Sequence, residues 1–207
     1  MKQVHGWWVP DEDTHFEMYF NAQGSGEYQL QQREKALSYV DNFGTALDIG
    51  GHVGFWSKPL SEKFKNVIAF EPHQPFIDLF KRNAPKAEIF KVALGEENSE
   101  AKLTIPNDNT GAAYLESGTG VSIRKLDSFF FKNIDFIKID CEGYEFPIVK
   151  GASETLARCN PVVIVEQKQH KTHSHPWSKT AAVEYMVNTL NYRVVGRVLQ
   201  DWVLKKI

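Results

Sequence analysis

The stretch FIKIDCEGYE (136–145) carries an apolar run into three carboxylates, Asp140, Glu142 and Glu145, with Lys138 set inside the apolar part. Buried polar groups without partners are costly, so acids at the end of a core strand need a task. Carboxylates suit four: holding a metal, accepting a proton, binding a cofactor, or starting the next helix. Upstream, LDIGGHVG (47–54) ends another apolar run on Asp48 and follows it with Gly50, Gly51 and Gly54. Glycine lets backbone approach a ligand closely, and a helix start behind it offers free N–H groups. Glu71 ends the next apolar run about twenty residues on, where an acid binds ribose hydroxyls in nucleotide-binding sheets. A glycine turn alone can simply join strand to helix. Loop, acid and strand order together indicate a nucleoside-containing cofactor.

The loop reads D-x-G-G-x-x-G and lacks the glycine spacing matched to a pyrophosphate. An acid ahead of the glycines suits a cationic ligand, and S-adenosylmethionine carries an ammonium and a sulfonium. A nicotinamide-dependent oxidoreductase is the rival reading, and a noncatalytic nucleoside-binding subunit of the same fold is another.

These residues need a sheet to hold them. From Thr45 the chain alternates: strand 45–49, loop 50–54, helix 55–64 with Pro59 as a distorting residue, strand 66–72, helix 74–84 with Pro75 in its first turn, strand 87–94. That order predicts an open parallel sheet with covering helices, and places the site at its C-terminal edge. An extra strand follows at 101–106, then a turn-rich stretch 107–120, a mobile lid or a long loop, then a strand and turn over 121–130. Strand 135–140, helix 145–158, strand 161–167 and helix 178–190 continue the alternation. Runs 192–199 and 201–207 nearly touch, which makes them an antiparallel hairpin. Before all this, 1–27 is irregular in pattern but too aromatic for a disordered tail. Residues 27–40 read as a helix with Leu30, Ala36, Leu37 and Val40 as its buried stripe.

With 207 residues there is room for one domain: an arm and helix over 1–44 covering the active-site edge, and a catalytic core over 45–207. A net charge of −2 gives no electrostatic case for nucleic acid as partner. No apolar run approaches the ~20 residues of a membrane span, and the N-terminus has no signal-peptide core. Two cysteines, Cys141 and Cys159, form no disulfide framework, which fits a cytoplasmic location. Oligomeric state is left open.

The set ALDIGGHVGFW, AFEPHQPF, KVALGEE, FIKIDCEGYEFPIVKGA and NPVVIVEQ resembles the FkbM family of S-adenosylmethionine-dependent methyltransferases, from about Thr45 to Gln167. Its most specific pieces are FIKIDCEGYE followed by KGA, and ALG at 93–95. The resemblance implies an α/β, Rossmann-like class I methyltransferase fold: a mostly parallel seven-stranded sheet with a C-terminal antiparallel hairpin and helices on both faces. It implies methyl transfer to a hydroxyl of a small acceptor such as a sugar or secondary metabolite. Asp48, Gly50, Gly51 and Gly54 match the first cofactor motif, Glu71 the ribose-binding acid, Val92 and Ala93 the segment beside the adenine, and Asp140 the acid near the reacting methyl. His52 departs from the family pattern, where asparagine is frequent.

Asp140 and Glu142 are the candidate catalytic acids, with His170 as a candidate base. Asp140, Glu166 and Gln167 sit at two adjacent strand ends and could share a Mg²⁺ or Ca²⁺ ion, an arrangement that resembles metal-dependent catechol-type O-methyltransferases. His15, Trp7 and Glu166 are the candidate acceptor contacts; Trp7 and Trp8 could equally clamp the arm. Lys138 is expected to pair with Asp48 or Asp140, and Glu145 to start the following helix. His170, His173 and His175 match no zinc spacing.

Overall fold

The computed structural model describes residues 1–168 and 175–206. The aromatic N-terminus is ordered structure: strands β1 (Lys2–Val4) and β2 (Trp7–Val9) form an antiparallel hairpin, followed by helix α1 (His15–Gln23). Its apolar residues Trp7, Val9, Phe16 and Phe20 pack with Val53, Phe55, Phe76 and Leu79 of the core. Helix α2 (Leu30–Leu37) buries Arg33, Ala36 and Leu37, whereas Leu30, expected in the buried stripe, is exposed. Arg33 lies in that face because its guanidinium donates to the Tyr28 carbonyl and pairs with Glu27.

The core then alternates as β3 (Thr45–Ile49), α3 (Ser57–Leu60), β4 (Asn66–Phe70), α4 (Gln74–Asn83) and β5 (Glu88–Phe90). Helix α3 is shorter than expected; Pro59 falls in its first turn, where a missing N–H is tolerated, and turns follow. The third core strand ends early. After Phe90 the chain bends, and β6 (Ala93–Leu94) joins a second sheet with β7 (Ser99–Thr104) and β8 (Tyr114–Arg124). The second half of the turn-rich stretch, 114–120, is therefore strand, a correction to the lid reading. Gly118 and Gly120 at positive φ accompany a register shift opposite Ala101/Lys102 and do not end the strand. A short 3-10 turn at Thr110–Ala112 precedes it.

Strand β9 (Phe136–Ile139) leads to α5 (Glu145–Gly151) and α6 (Ser153–Cys159), one expected helix broken at Ala152; β10 (Val162–Glu166), α7 (Ala181–Asn188), β11 (Arg193–Val198) and β12 (Asp201–Lys205) follow. Among the described residues the main sheet has seven strands, in the order β11-β12-β10-β9-β3-β4-β5, with β12 antiparallel to both its neighbours. Every residue of β9 and β10 is buried, as expected of strands covered on both faces. Leu47, Ile49, Ile137, Ile139 and Val165 face α5 and α7, while Ala46, Phe136, Ile164 and Val203 face α2, Trp56 and Leu60. Helix α2 is tied to the far edge: the Tyr39 hydroxyl donates to the Val195 carbonyl at 2.5 Å, and Lys205 Nζ donates to the Tyr39 carbonyl at 2.9 Å.

Candidate active site

Strands β3 and β9 are adjacent although five strands of sequence separate them, so chain direction diverges there and leaves a crevice past their C-terminal ends. A cleft with about 860 Å³ of empty space, partly open to solvent, occupies that position. Its floor is Asp48, Gly50, Gly51 and Asp140; Glu71 and Val92 to Leu94 form one side; Phe16, Tyr28, Phe55 and Trp56 form an aromatic wall.

Lys138 stands in register with Asp48 across β3 and β9, so the two side chains share a face. Its Nζ lies 3.6 Å from Asp48 Oδ1 and 3.6 Å from Asp140 Oδ2, and donates to the Gly50 carbonyl at 3.2 Å. Both expected partners are therefore used at once. Burial works against the ammonium, but Asp140 and Asp48 together hold its pKa above the ordinary lysine value. Burial raises the Asp48 pKa, opposed by Lys138 and by Ser57, whose hydroxyl donates to Oδ2 at 2.7 Å. Asp48 Oδ1 is buried and makes no hydrogen bond among the described residues.

Gly50 (φ 82°) needs to be glycine on two counts, because a Cβ there would overlap the Asp140 carbonyl. Gly54 does a different job from the one expected. It packs behind the loop against Ala84 and Phe80, which lets helix α4 close on the sheet. His52 sits at φ 46°, a left-handed conformation that asparagine adopts more readily. Its N–H donates to Glu71 Oε2 at 3.1 Å, and the His73 N–H donates to Oε1 at 2.9 Å. Glu71 thus has both oxygens anchored, with lone pairs left for a ligand; burial pushes its pKa up to about 7. The His52 ring meets Thr110 Oγ1 at 3.0 Å, and that hydroxyl donates to the fully buried Asp13 at 2.5 Å. Asp13 also accepts from the Thr110 and Phe16 N–H groups. One hydrogen-bond chain thereby links arm, 3-10 turn and glycine loop. Burial keeps His52 neutral, with a pKa of about 3.

Past β9 the chain turns through Glu142 (φ 50°) and Gly143 (φ 98°). Glu145 holds this turn: its Oε1 accepts from the Cys141 N–H at 2.9 Å and the Gly143 N–H at 3.1 Å. It starts α5, as expected, but its carboxylate serves the preceding turn. Asp140, Glu142 and Glu166 each offer a carboxylate oxygen, and these lie within 4.8 Å of one another. Lys168 Nζ stands 2.8 Å from Glu142 Oε1 and 2.6 Å from Glu166 Oε2. Burial and the Asp140 charge push the Glu166 pKa up. Gln167, expected as a metal ligand, turns away: its amide donates to the Glu166 carbonyl and accepts from the Val183 N–H.

All three expected acceptor contacts, Trp7, His15 and Glu166, stand apart from the cleft lining. Trp7 is buried against Phe55, with its indole N–H on the Gly26 carbonyl, and so clamps the arm. His15 packs edge-on against Phe16 at the start of α1. The arm reaches the cleft instead through Phe16 and Tyr28, which no local sequence pattern marks. Burial, then Asp140, raises the Tyr28 pKa, so its hydroxyl stays a donor. His170 and His173 lie outside the described residues, and His175 stacks on Trp177 at 4.6 Å.

Strand order, the reversed β12 and a cleft at the switch point define the Rossmann-like fold of class I methyltransferases. The chain belongs to the family of the methyltransferase FkbM domain, whose model matches residues 48–194. It is similar to the methyltransferase FkbM from Methylobacillus flagellatus KT, with a TM-score of 0.55 and 16% identity over 91% of this chain and 52% of that one. The chain therefore spans about half the length of that relative. It is also similar to a SAM-dependent methyltransferase of Leishmania major (TM-score 0.54, 12% identity, 90% of this chain, 76% of that one). A TehB-like SAM-dependent methyltransferase of Corynebacterium glutamicum gives a TM-score of 0.53 at 11% identity, covering 91% of this chain and 92% of that one. At these identities the likeness is one of fold. No curated protein matches the sequence. Among the described residues no helix is long and apolar enough to cross a membrane.

Proposed function

We propose that the protein is an S-adenosylmethionine-dependent methyltransferase that methylates a hydroxyl oxygen of a small acceptor, such as a sugar or secondary metabolite. The observation that carries this reading is the convergence of Asp48, Glu71 and Asp140 on one cleft at the switch point of the sheet. The residues present fit the cofactor. Asp48, at the cleft floor between Lys138 and the Ser57 hydroxyl, offers a carboxylate for a cationic group. Glu71 is anchored to take ribose hydroxyls, and Val92 and Ala93 offer an apolar surface for a base. When bound, S-adenosylmethionine supplies an electrophilic methyl group.

The chain's own task is to align the acceptor and take its proton. Alignment supplies a large part of the rate in such reactions. Phe16, Tyr28, Phe55 and Trp56 give an aromatic wall suited to the apolar C–H faces of a small ring, and the Tyr28 hydroxyl gives it a polar contact. A hydroxyl acceptor has a high pKa and needs a base. Asp140 is the group we assign to it, with Glu142 orienting the acceptor. The unpaired cysteines Cys141 and Cys159 fit a cytoplasmic setting.

Calorimetry tests the reading. S-adenosylhomocysteine is expected to bind and NAD not to bind. Binding of NAD alone favours the oxidoreductase, and binding of S-adenosylhomocysteine with no turnover across labelled acceptor screens favours a noncatalytic subunit.

A further inference from the structure

We propose that Lys168 is the resident cation of the Asp140–Glu142–Glu166 cluster, filling the place a divalent ion takes in metal-dependent O-methyltransferase arrangements, so that this site works without metal. The inference rests on the cleft being a methyl-transfer site, and it identifies what holds that site's acids together.

The three oxygens, within 4.8 Å of one another, have a spacing that a single hard cation can span. The donor set also has the right chemistry. Yet the position between two of its members is taken. Lys168 Nζ donates to Glu142 and ion-pairs with Glu166, while Lys138 ion-pairs with Asp140. Lys168 follows Glu166 by two residues, so in extended chain it emerges on the same face. The fourth ligand that adjacent strand ends could supply, the Gln167 amide, is engaged with the Glu166 carbonyl and the Val183 N–H. A tethered ammonium competes with free ions at a high effective concentration.

Removing the lysine leaves three clustered carboxylates with one cation fewer, which is how a divalent site is made. The test is a titration of the full chain with Mn²⁺, read by the loss of the free-ion EPR signal, in parallel with S-adenosylhomocysteine calorimetry. Lys168→Ala is expected to bind one Mn²⁺ at least about tenfold more tightly than the native chain, and Lys168→Arg no more tightly. Glu142→Gln added to Lys168→Ala is expected to abolish the gain. Lys168→Gln, which keeps length and polarity, replaces Lys168→Ala if that variant does not melt cooperatively. Two results overturn the proposal: one-to-one Mn²⁺ binding by the native chain that Glu142→Gln removes, or no gain in Lys168→Ala or, where it is used instead, Lys168→Gln. Failure of S-adenosylhomocysteine to bind the native chain sinks the cofactor reading separately, whatever the ion does.

Discussion

The backbone of Gly151 lies against the carbonyl of Gly95, so closely that a methyl group on Gly151 would overlap that oxygen. The contact joins KGA at the end of α5 to ALG at the end of β6, and Lys150 pairs with Glu96 beside it. Two short motifs far apart in sequence are thus two halves of one packing contact. Gly151→Ala forces helix and strand apart and is expected to cost at least about 1–3 kcal/mol. A denaturant midpoint that does not move would remove this explanation for the glycine.

Asp140 and Glu145 stand five residues apart and do different work. Asp140 lines the cleft, while Glu145 accepts from two N–H groups of the turn. Asp140→Ala is expected to lose turnover far more than Glu145→Ala. Glu145→Ala strands two backbone donors and is expected to destabilise by roughly 1–3 kcal/mol. Melting curves and single-turnover rates on both variants check the division, which equal losses of rate would overturn.

Glu71 sets a pH dependence. Burial raises its folded pKa from 4.5 to about 7. The folded chain therefore holds a proton that the unfolded chain releases between those values. The associated stability is fully present below about pH 4.5 and is lost as pH rises to about 7, a change of about 3 kcal/mol for this group. Above that range the ionised carboxylate is the better acceptor for ribose hydroxyls. Affinity for S-adenosylhomocysteine is expected to rise with pH through 7, and Glu71→Gln to flatten the rise. A native profile as flat as the variant's contradicts this.

Asp13 holds the arm to the cofactor loop through Thr110 and His52. Asp13→Ala leaves the Thr110 and Phe16 donors unmet in a buried position and is expected to cost on the order of 2–3 kcal/mol. Because the chain of bonds ends on the glycine loop, S-adenosylhomocysteine should also bind more weakly. Calorimetry on Asp13→Ala at low temperature separates the two effects; loss of stability with unchanged affinity would mean that the arm does not shape the loop.

Much of the core was legible in the sequence because β3, β9 and β10 are buried on both faces and so read as largely apolar runs with acids at or near their ends. The split of the third strand was not, since Phe90 and Ala93 follow one apolar pattern and only the position of β8 parts them. Strand β8 was hidden by Gly118 and Gly120, which mimic turn chemistry. The hairpin β1–β2 is too short to show alternation. In the site, Asp48, Glu71 and Asp140 were visible because strand ends mark them. Tyr28, Phe16 and Thr110 reach the cleft by tertiary packing and leave no local signal. Lys168 had one: its two-residue spacing from Glu166.

The bond from Tyr39 to Val195 joins residues 156 positions apart, and Lys205 to Tyr39 spans 166. Helix α2 is short and polar on most of its surface, so it gains little on its own and depends on these late partners. A ribosome must synthesise β11 and β12 before the first helix of the core layer can dock. Until then the apolar residues Ala36 and Leu37 of α2 lack the strands β10, β11 and β12 that they pack on. High contact order slows folding for this reason. Swapping the ends by circular permutation at an exposed loop, so that α2 is made next to its strands, should shorten that interval.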